Sequence, residues 1–263
     1  MADFHVIGGA TKAVAHPQIR KIQMSDLRDV LRAGLSDFWD KPSHYAFLGL
    51  IYAVVGIALA IWSSGANALP MVFPLASGFA LLGPIAAIGL YEISRRKEQG
   101  QDTSWIHAIE VMRSPALPSI IAVGIMIFAI FYLWLAAAES IYQATFGMSA
   151  PTSVTAFLGE VFTTSQGWQL MLWGCGVGFL FALVTLATTV IAFPLMLDRD
   201  VGAFAAIETS VRAFMANPIP LLAWGLIVAV LLTIGSIPFF VGLAVVVPVL
   251  GHATWHLYRK LVA

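Results

Sequence analysis

The chain has few charged residues and almost no cysteine, and both shortages exclude classes of protein. Only 11% of its 263 residues are charged, whereas a soluble domain carries about 25%. Cys175 is the only cysteine, which excludes a disulfide framework and any cysteine-rich zinc or iron–sulfur site. The 14 basic and 14 acidic residues cancel, so the net charge gives no indication of nucleic-acid binding. No phosphate loop, dinucleotide fingerprint, nucleophile elbow or zinc-protease motif is present in the sequence.

Apolar residues make up 59% of the chain, and the mean hydropathy is +0.86. A helix that crosses the hydrocarbon core of a bilayer needs about 20 predominantly apolar residues. Six segments approach this requirement: 45–63, 71–93, 117–138, 167–197, 219–234 and 238–258. The sequence therefore predicts an all-α, polytopic membrane protein with six transmembrane helices. The last two segments predict either a tight helical hairpin or two shorter, partly re-entrant segments, because only Gly235, Ser236 and Ile237 separate them.

The basic residues predict the orientation of these helices. In a six-span topology every Lys and Arg falls on one side of the membrane: Lys12, Arg20, Lys21, Arg28, Arg32, Lys41, Arg95, Arg96, Lys97, Arg113, Arg199, Arg212, Arg259 and Lys260. The opposite side carries only the charges of Glu139 and Glu160. Because cytoplasmic loops carry an excess of Lys and Arg, we expect both termini in the cytoplasm and the protein in an inner (cytoplasmic) membrane.

Two regions outside the spans predict short amphipathic helices at the membrane interfaces. Residues 1–41 are expected to form a cytoplasmic arm, flexible over 1–23, followed by a helix over 26–39; residues 42–263 form the transmembrane domain. Ser25 is typical of an N-cap, and apolar residues recur after it at helical spacing, with Asp and Arg on the other face. This helix either lies at the interface or docks a partner. A helix in the outer loop 139–166 either rests at the interface or covers a cavity or partner.

His252 and His256 are the candidate metal ligands. Their spacing of four residues places both on one face of a helix, and His44 is predicted at the same depth in the membrane. Two histidines alone do not make a zinc site, because a third ligand and supporting hydrogen bonds are required. The sequence therefore favours a structural role for both residues at the inner interface, with a metal or haem site as the alternative.

Three further polar groups are candidate functional residues: Glu92 with Arg95 and Arg96, Asp198 with Arg199, and Thr185 with Thr188 and Thr189. Each acid lies at a predicted helix end beside arginine, so ion pairing at the helix terminus explains it without a functional role. The threonines either bond to helix carbonyls or line a path for a small neutral solute. Ionisable residues deep in the spans, which mark proton or ion paths, are almost absent.

Three motifs resemble a bacterial integral-membrane family, domain of unknown function 2189. They are LGPIAAIGLYEISRR at 82–96, FPLMLDRDVG at 193–202 with Asn217-Pro218 downstream, and PVLGHATWHLYR at 248–259. The resemblance covers roughly residues 25–260 and implies no established activity. Members of this family are sometimes labelled cytochrome c oxidase-like, but a haem–copper catalytic subunit has twelve spans and several intramembrane histidine ligands. The predicted six spans and single histidine pair depart from that pattern.

The sequence favours a non-catalytic protein, without catalytic residues or cofactor, that acts as an accessory or assembly subunit of a larger respiratory or photosynthetic membrane complex. The expected partners are the bilayer, anionic lipid at the cytoplasmic face and other membrane-protein subunits, but not nucleic acid. One alternative is a channel or carrier for a small neutral solute. Another is a metal- or haem-binding redox membrane protein centred on His252 and His256.

Overall fold

The computed structural model describes residues 17–40, 54, 57, 66–104, 106–148, 151–238 and 240–263. Within these ranges the chain is helical, and extended segments pair only in an isolated bridge between Ile19 and Val262. The α-helices are α1 (Met24–Asp40), α2 (Val72–Leu81), α3 (Gly83–Ala86), α4 (Ile88–Glu98), α5 (His107–Glu110), α6 (Leu117–Phe146), α7 (Val154–Thr163), α8 (Ser165–Thr189), α9 (Ala192–Arg199), α10 (Ala203–Ala216), α11 (Pro218–Ser236) and α12 (Leu243–Leu261). Short 3₁₀ segments precede α2 and follow α5.

Among the described residues, three helical segments are long and apolar enough to cross a membrane: Leu117–Phe146, Ser165–Arg199 and Pro218–Ser236. They coincide with the third, fourth and fifth predicted spans. The first predicted span, 45–63, lies outside the described residues except for Val54 and Ile57. The all-helical fold is therefore confirmed for the described residues. The presence of six spans stays a prediction.

The second predicted span, 71–93, is divided into α2, α3 and α4 rather than forming one helix. Pro84 lies in the first turn of α3. Proline lacks a backbone N–H and its ring clashes with the carbonyl four residues earlier, so it interrupts the helical ladder. Pro194 lies just after a similar interruption, between the end of α8 at Thr189 and the start of α9 at Ala192.

The sixth predicted span differs most from the expectation, because α12 begins at Leu243 and extends to Leu261. This helix is less apolar than the three segments that could cross a membrane, because its second half carries both histidines and two basic residues. The predicted turn at 235–237 is also displaced. Helix α11 continues through Ser236 and α12 begins at Leu243, and Phe240 between them lies in the left-handed region at φ 63°.

Helix α1 confirms the helix that the apolar spacing predicts, but it packs along α12 instead of only covering a surface. Its buried face contains Leu27, Val30, Gly34, Asp37 and Phe38. At Gly34 the two helices approach so closely that a Cβ atom would lie 2.6 Å from the backbone nitrogen of Ala253 and 2.7 Å from the carbonyl oxygen of Val249. The absence of a side chain at Gly34 therefore sets the distance between α1 and α12.

The expectation of a flexible arm does not hold for residues 18–22, which are hydrogen-bonded to the C-terminal segment and to Asn217. The backbone N–H of Arg20 donates to the carbonyl of Leu261 at 2.8 Å. Asn217 accepts from the backbone N–H of Ile22 at 2.8 Å and donates to the carbonyl of Arg20 at 3.0 Å. The side chain of Asn217 thus provides hydrogen-bond partners for backbone groups of an extended segment that has no neighbouring strand along most of its length.

The segment after α6 contains the predicted short helix as α7. The Ser153 hydroxyl accepts from the backbone N–H of Ala156 at 3.1 Å and caps this helix. Phe157 packs edge-to-face against Tyr142 and Phe146 near the end of α6. Helix α6 itself runs to Phe146, eight residues beyond the predicted end of the span at Ala138. The predicted loop is therefore a helical extension of α6 followed by a helix packed on it.

Candidate functional site

Polar side chains converge at one end of the bundle, where α1 meets the C-terminal ends of α4, α9 and α12. We call this region the charged end. Its members are Asp26, Asp29, Asp37, Asp40, Ser94, Lys97, Glu98, Asp198, Arg199, His252, Trp255, His256, Tyr258, Arg259 and Lys260. The region is the candidate functional site because it concentrates the ionisable chemistry of the described residues.

Asp37 is the hub of the charged end, and its residue is only 6% exposed. Its two carboxylate oxygens accept from Lys97 Nζ at 2.6 Å and from His256 Nε2 at 2.8 Å. Burial alone would raise the pKa of Asp37, but the hydrogen bonds from His256 and Lys97 outweigh it, so the pKa is lowered. Asp37 is therefore an ionised carboxylate that joins α1 to α4 and α12.

Lys97 bridges two carboxylates of α1, because its ammonium group contacts both Asp37 and Asp40. Burial lowers the pKa of Lys97, but hydrogen bonds to Asp37 and Asp40 raise it above its ordinary value. A charged Lys97 thus balances an ionised Asp37. A buried carboxylate is tolerated only when it is paired in this way.

The two predicted metal ligands, His252 and His256, are hydrogen-bonded to neighbouring helices. His252 is fully buried, and its Nδ1 lies 2.7 Å from Ser94 Oγ. His256 is hydrogen-bonded through Nε2 to the carboxylate of Asp37. Among the residues that the structure describes, no group of three His, Cys, Asp or Glu side chains is arranged to hold a metal ion; His44 lies outside them. The two histidines thus connect α12 to α4 and to α1.

Asp198 contacts α12 more closely than it contacts its neighbour in sequence. It accepts from Tyr258 Oη at 2.5 Å and from Arg259 Nη1 at 3.3 Å, whereas Arg199 Nε lies 3.7 Å away. Arg199 donates instead to the backbone carbonyl of Ala263. The predicted pairing of Asp198 with Arg199 is therefore a minor contact, and both residues hold the C-terminal segment.

Glu98 and Lys260 complete the contacts around the end of α12. Glu98 accepts from Trp255 Nε1 at 3.1 Å and from Arg259 Nε at 3.0 Å. Lys260 donates to Asp26 at 2.6 Å and to Asp29 at 3.3 Å, at the beginning of α1. The hydrogen bond to Asp26 is the main cause that raises the pKa of Lys260. A lysine from another helix thus pairs with acidic residues at each end of α1. Lys260 of α12 pairs at its beginning, and Lys97 of α4 pairs at its end.

A second cluster surrounds Glu92 on α4, and it contains the three predicted members Glu92, Arg95 and Arg96. Glu92 is buried and accepts from Arg95 Nε at 2.8 Å and from Arg96 Nε at 3.0 Å. Arg96 also donates to Glu110 at 2.7 Å, across a shallow cleft of about 260 Å³ whose lining includes Arg113. These contacts agree with ion pairing at the end of α4.

His107 connects this cluster to the loop before α5. Its two ring nitrogens lie 2.8 Å from Glu110 and 2.8 Å from Asp102. The hydrogen bonds to Glu110 and Asp102 raise the pKa of His107, and the partner Glu110 has a lowered pKa for the same reason. Both groups therefore favour their charged forms in the folded protein.

The threonine patch of α8 is directed mainly at its own helix. Thr188 donates to the carbonyl of Val184 at 2.8 Å, and Thr189 donates to the carbonyl of Thr185 at 2.6 Å. The Thr185 hydroxyl is buried and has no hydrogen-bond partner among the described residues. None of the three threonines lines the clefts beside Glu92 or α1.

Sequence reasoning missed Asp37, Ser94, Lys97, Glu98 and Asn217. Asp37 carried a signal, because it falls three residues after Gly34 and seven after Val30, on the same face as the apolar residues of α1. An acid at an apolar position of a helix indicates a buried ion pair. The other four residues carried no comparable signal, since their partners lie on helices distant in the sequence.

Comparison with known proteins identifies a family to which part of the chain is similar. Residues 72–198 match the model of a family described as predicted integral membrane protein (DUF2189). The resemblance that the motifs indicate is thereby confirmed over this range, which contains the whole motif at 82–96 and the start of the motif at 193–202. No curated protein matches the chain, and no solved structure does.

Proposed function

We propose that this integral membrane protein, which matches a family of unknown function, is a non-catalytic accessory or assembly subunit of a larger membrane complex. The complex is a respiratory or photosynthetic one in the bacterial inner membrane. A single observation carries the proposal: the polar side chains of the charged end are used in contacts between helices. The carboxylates of Asp37 and Asp198 each accept hydrogen bonds from a basic or hydroxyl group on another helix. Residues committed to such contacts support a scaffold rather than a catalytic site.

The outer surface of the apolar helices supports the same role. We use the name apolar helices for α6, α8 and α11. Only 22% of the most apolar window of Leu117–Phe146 is buried, and only 17% of that in Pro218–Ser236. Tyr132 on α6, Trp173 on α8 and Leu226 on α11 are largely exposed. Lipid covers such surfaces in a monomer, and apolar helices of other subunits cover them in a complex.

The topology that accompanies this proposal has six spans with both termini in the cytoplasm. Residues 1–41 then form a cytoplasmic segment and residues 42–263 the transmembrane domain. The clustering of Lys97, Arg199, Arg259 and Lys260 at one end of the bundle supports this orientation, because basic residues accumulate on the cytoplasmic side.

The two alternative functions have less support in the geometry. A path for a neutral solute along α8 would need accessible hydroxyls, but Thr188 and Thr189 donate to carbonyls of their own helix. A metal site needs further ligands beside His252 and His256, and among the residues that the structure describes no group of three His, Cys, Asp or Glu side chains is arranged to hold a metal ion. Elemental analysis and a visible spectrum of the purified protein test the second alternative directly.

The accessory-subunit proposal is tested by extraction from native membranes with a mild detergent, followed by native electrophoresis. We expect a species well above the 28.3 kDa of one chain, with co-migrating membrane subunits that are lost in a harsh detergent. A photoreactive amino acid at Tyr132, Trp173 or Leu226 identifies the covered helix, because at least one position should crosslink to another polypeptide. A chain that migrates as a monomer and crosslinks only to lipid at all three positions would contradict the proposal.

A further inference from the structure

Helix α1 carries a second face, exposed except at the partly buried Leu31, that none of the contacts above uses. Met24, Arg28, Leu31, Arg32, Leu35 and Trp39 recur at intervals of three or four residues and form one stripe along the helix. Trp39, at the end of the stripe nearest the first predicted span, is 64% exposed. The stripe therefore combines large apolar groups with two guanidinium groups, a composition typical of helices that contact the headgroup region of a bilayer.

The acidic and basic residues of α1 have different partners. Asp26 and Asp29 pair with Lys260, and Asp37 and Asp40 pair with Lys97. Arg28 and Arg32 lie on the other side of the helix, and neither is paired with a carboxylate among the residues that the structure describes. The positive charge of the stripe is therefore available to an anion from outside the chain.

An apolar groove runs beside the two arginines. It has a volume of about 340 Å³ and lies between α1 and α11, with Leu31, Leu35 and Ile227 on its walls and Arg28 and Arg32 at its edge. Helix α11 is long and apolar enough to cross a membrane. The groove thus places two cations directly beside a surface that contacts the hydrocarbon of the bilayer.

We propose that this groove binds an anionic phospholipid. The headgroup phosphate lies between Arg28 and Arg32, which donate to its oxygens, and the first part of an acyl chain packs against Leu31, Leu35 and Ile227. Guanidinium groups suit this role because their planar set of N–H donors matches the oxygens of a phosphate. The joint presence of paired cations and an apolar wall selects a phospholipid over a free phosphate. The site is independent of the accessory-subunit role.

The test is a titration of the purified, detergent-solubilised protein with phosphatidylglycerol, followed by native mass spectrometry. Each basic residue near an anionic membrane surface contributes about 1 kcal/mol, so the double variant Arg28→Gln/Arg32→Gln should bind phosphatidylglycerol roughly 30-fold more weakly. The matched control Arg113→Gln/Arg212→Gln removes the same charge from exposed positions outside the groove, and it should bind as the wild type does. Circular dichroism verifies that each variant retains its helical content.

Two further arms separate the phospholipid from other ligands. Phosphatidylcholine should bind more weakly than phosphatidylglycerol, and glycerol phosphate, which lacks acyl chains, should not compete. Equal binding of both phospholipids, competition by glycerol phosphate, or unchanged binding in Arg28→Gln/Arg32→Gln would each overturn the proposal. A photoreactive residue at Leu35 that crosslinks to a protein in native membranes, and not to lipid, would also overturn it.

Discussion

The charged end and the apolar helices differ in the interactions that stabilise them. At the charged end, most of α12 from Leu250 to Leu261 is buried, and ion pairs and hydrogen bonds connect it to α1, α4 and α9. In α6 and α11, only about a fifth of the most apolar window is buried. The comparison indicates that interactions within the chain are concentrated at the charged end, while α6 and α11 depend on lipid or on other subunits for much of their contact.

A physical reason underlies this difference. Lipid tails are as apolar as leucine, so burial of apolar side chains gives little driving force between helices inside a bilayer. Close backbone approach and hydrogen bonds then decide which helices pack. Gly34 provides close approach at the charged end, and Asp37 provides hydrogen bonds. Among the apolar helices, Trp134 has an equivalent role, because it packs on Gly178 and donates to the carbonyl of Pro74.

The largest effect is expected for Gly34→Ala. The new Cβ atom would lie 2.6 Å from the backbone nitrogen of Ala253, so α1 and α12 must separate. Overpacking of this kind costs about 3 kcal/mol when backbone has to move. Thermal unfolding in detergent should show a lower Tm, and proteolysis should release the segment before α1 more readily.

Gly174→Ala is the matched control within the apolar helices. No atom lies within 4 Å of a Cβ built at Gly174, and alanine is favoured over glycine in a helix by up to about 1 kcal/mol. The stability of this variant should equal or exceed that of the wild type. Equal destabilisation by Gly34→Ala and Gly174→Ala would show that the two regions do not differ in the way we infer.

A smaller effect is expected for Asp37→Asn, which retains the shape of the side chain but removes its charge. Lys97 and His256 then lose their ionised partner in a largely buried position. Removal of one member of a buried pair costs about 3–5 kcal/mol, and partial exposure of Lys97 and His256 reduces this to about 2 kcal/mol. The measurement is again the Tm in detergent.

The control for Asp37→Asn is Asp29→Asn. Asp29 is an exposed residue of the same helix, and it contacts Lys260 only at 3.3 Å. Pairs of this kind contribute about 0–1 kcal/mol, so the Tm should change little. A comparable loss in both variants would mean that net charge, and not the buried position of Asp37, determines the stability of α1.

Apolar runs and helical periodicity predicted much of the fold. The spans at 117–138, 167–197 and 219–234 correspond to α6, to α8 with α9, and to α11. The helix over 26–39 corresponds to α1. These predictions depend on local composition, which is visible in a single chain. The division of 71–93 by Pro84 was also visible in principle, since proline interrupts the backbone ladder.

The candidate site was harder to predict, because its members are distant in the sequence. His256 and Asp37 are separated by 219 positions, and His252 and Ser94 by 158. Hydropathy cannot reveal which helices are neighbours, so the sequence favoured a structural role for the histidine pair without identifying Ser94 and Asp37 as its partners. Asp198 illustrates the same limit: sequence proximity predicted Arg199 as its partner, whereas the closer contact is Tyr258.

A change in Trp134 tests the comparison from the side of the apolar helices. The side chain is only 2% exposed, and its Nε1–H donates to the carbonyl of Pro74 at 2.9 Å. Trp134→Phe removes this hydrogen bond and part of the ring, with a cost of about 1 kcal/mol, since hydrogen bonds between membrane helices contribute about 0.6–2 kcal/mol. A loss in Tm as large as that of Gly34→Ala would show that the apolar helices stabilise the fold as strongly as the charged end.

The smallest effect should be the acid sensitivity of the charged end. The pKa of Asp37 is lower in the folded protein than its ordinary value of 3.8, so folding favours the ionised form. This contribution is complete above the ordinary pKa and is lost as the pH falls through the folded pKa. The Tm of the wild type should therefore decrease between about pH 5 and about pH 3 more than that of Asp37→Asn.

The difference in acid sensitivity between the wild type and Asp37→Asn reports the contribution of Asp37 separately from that of the other acids. Asp26 and Glu110 also have lowered pKa values, but both remain in Asp37→Asn and cancel in the comparison. The raised pKa of His107 acts in the opposite direction, because its contribution is lost as the pH rises. Protonation removes only the part of the interaction that depends on charge, so the acid effect should be smaller than that of the substitution at neutral pH. Parallel acid profiles would place the stabilising charge on another carboxylate.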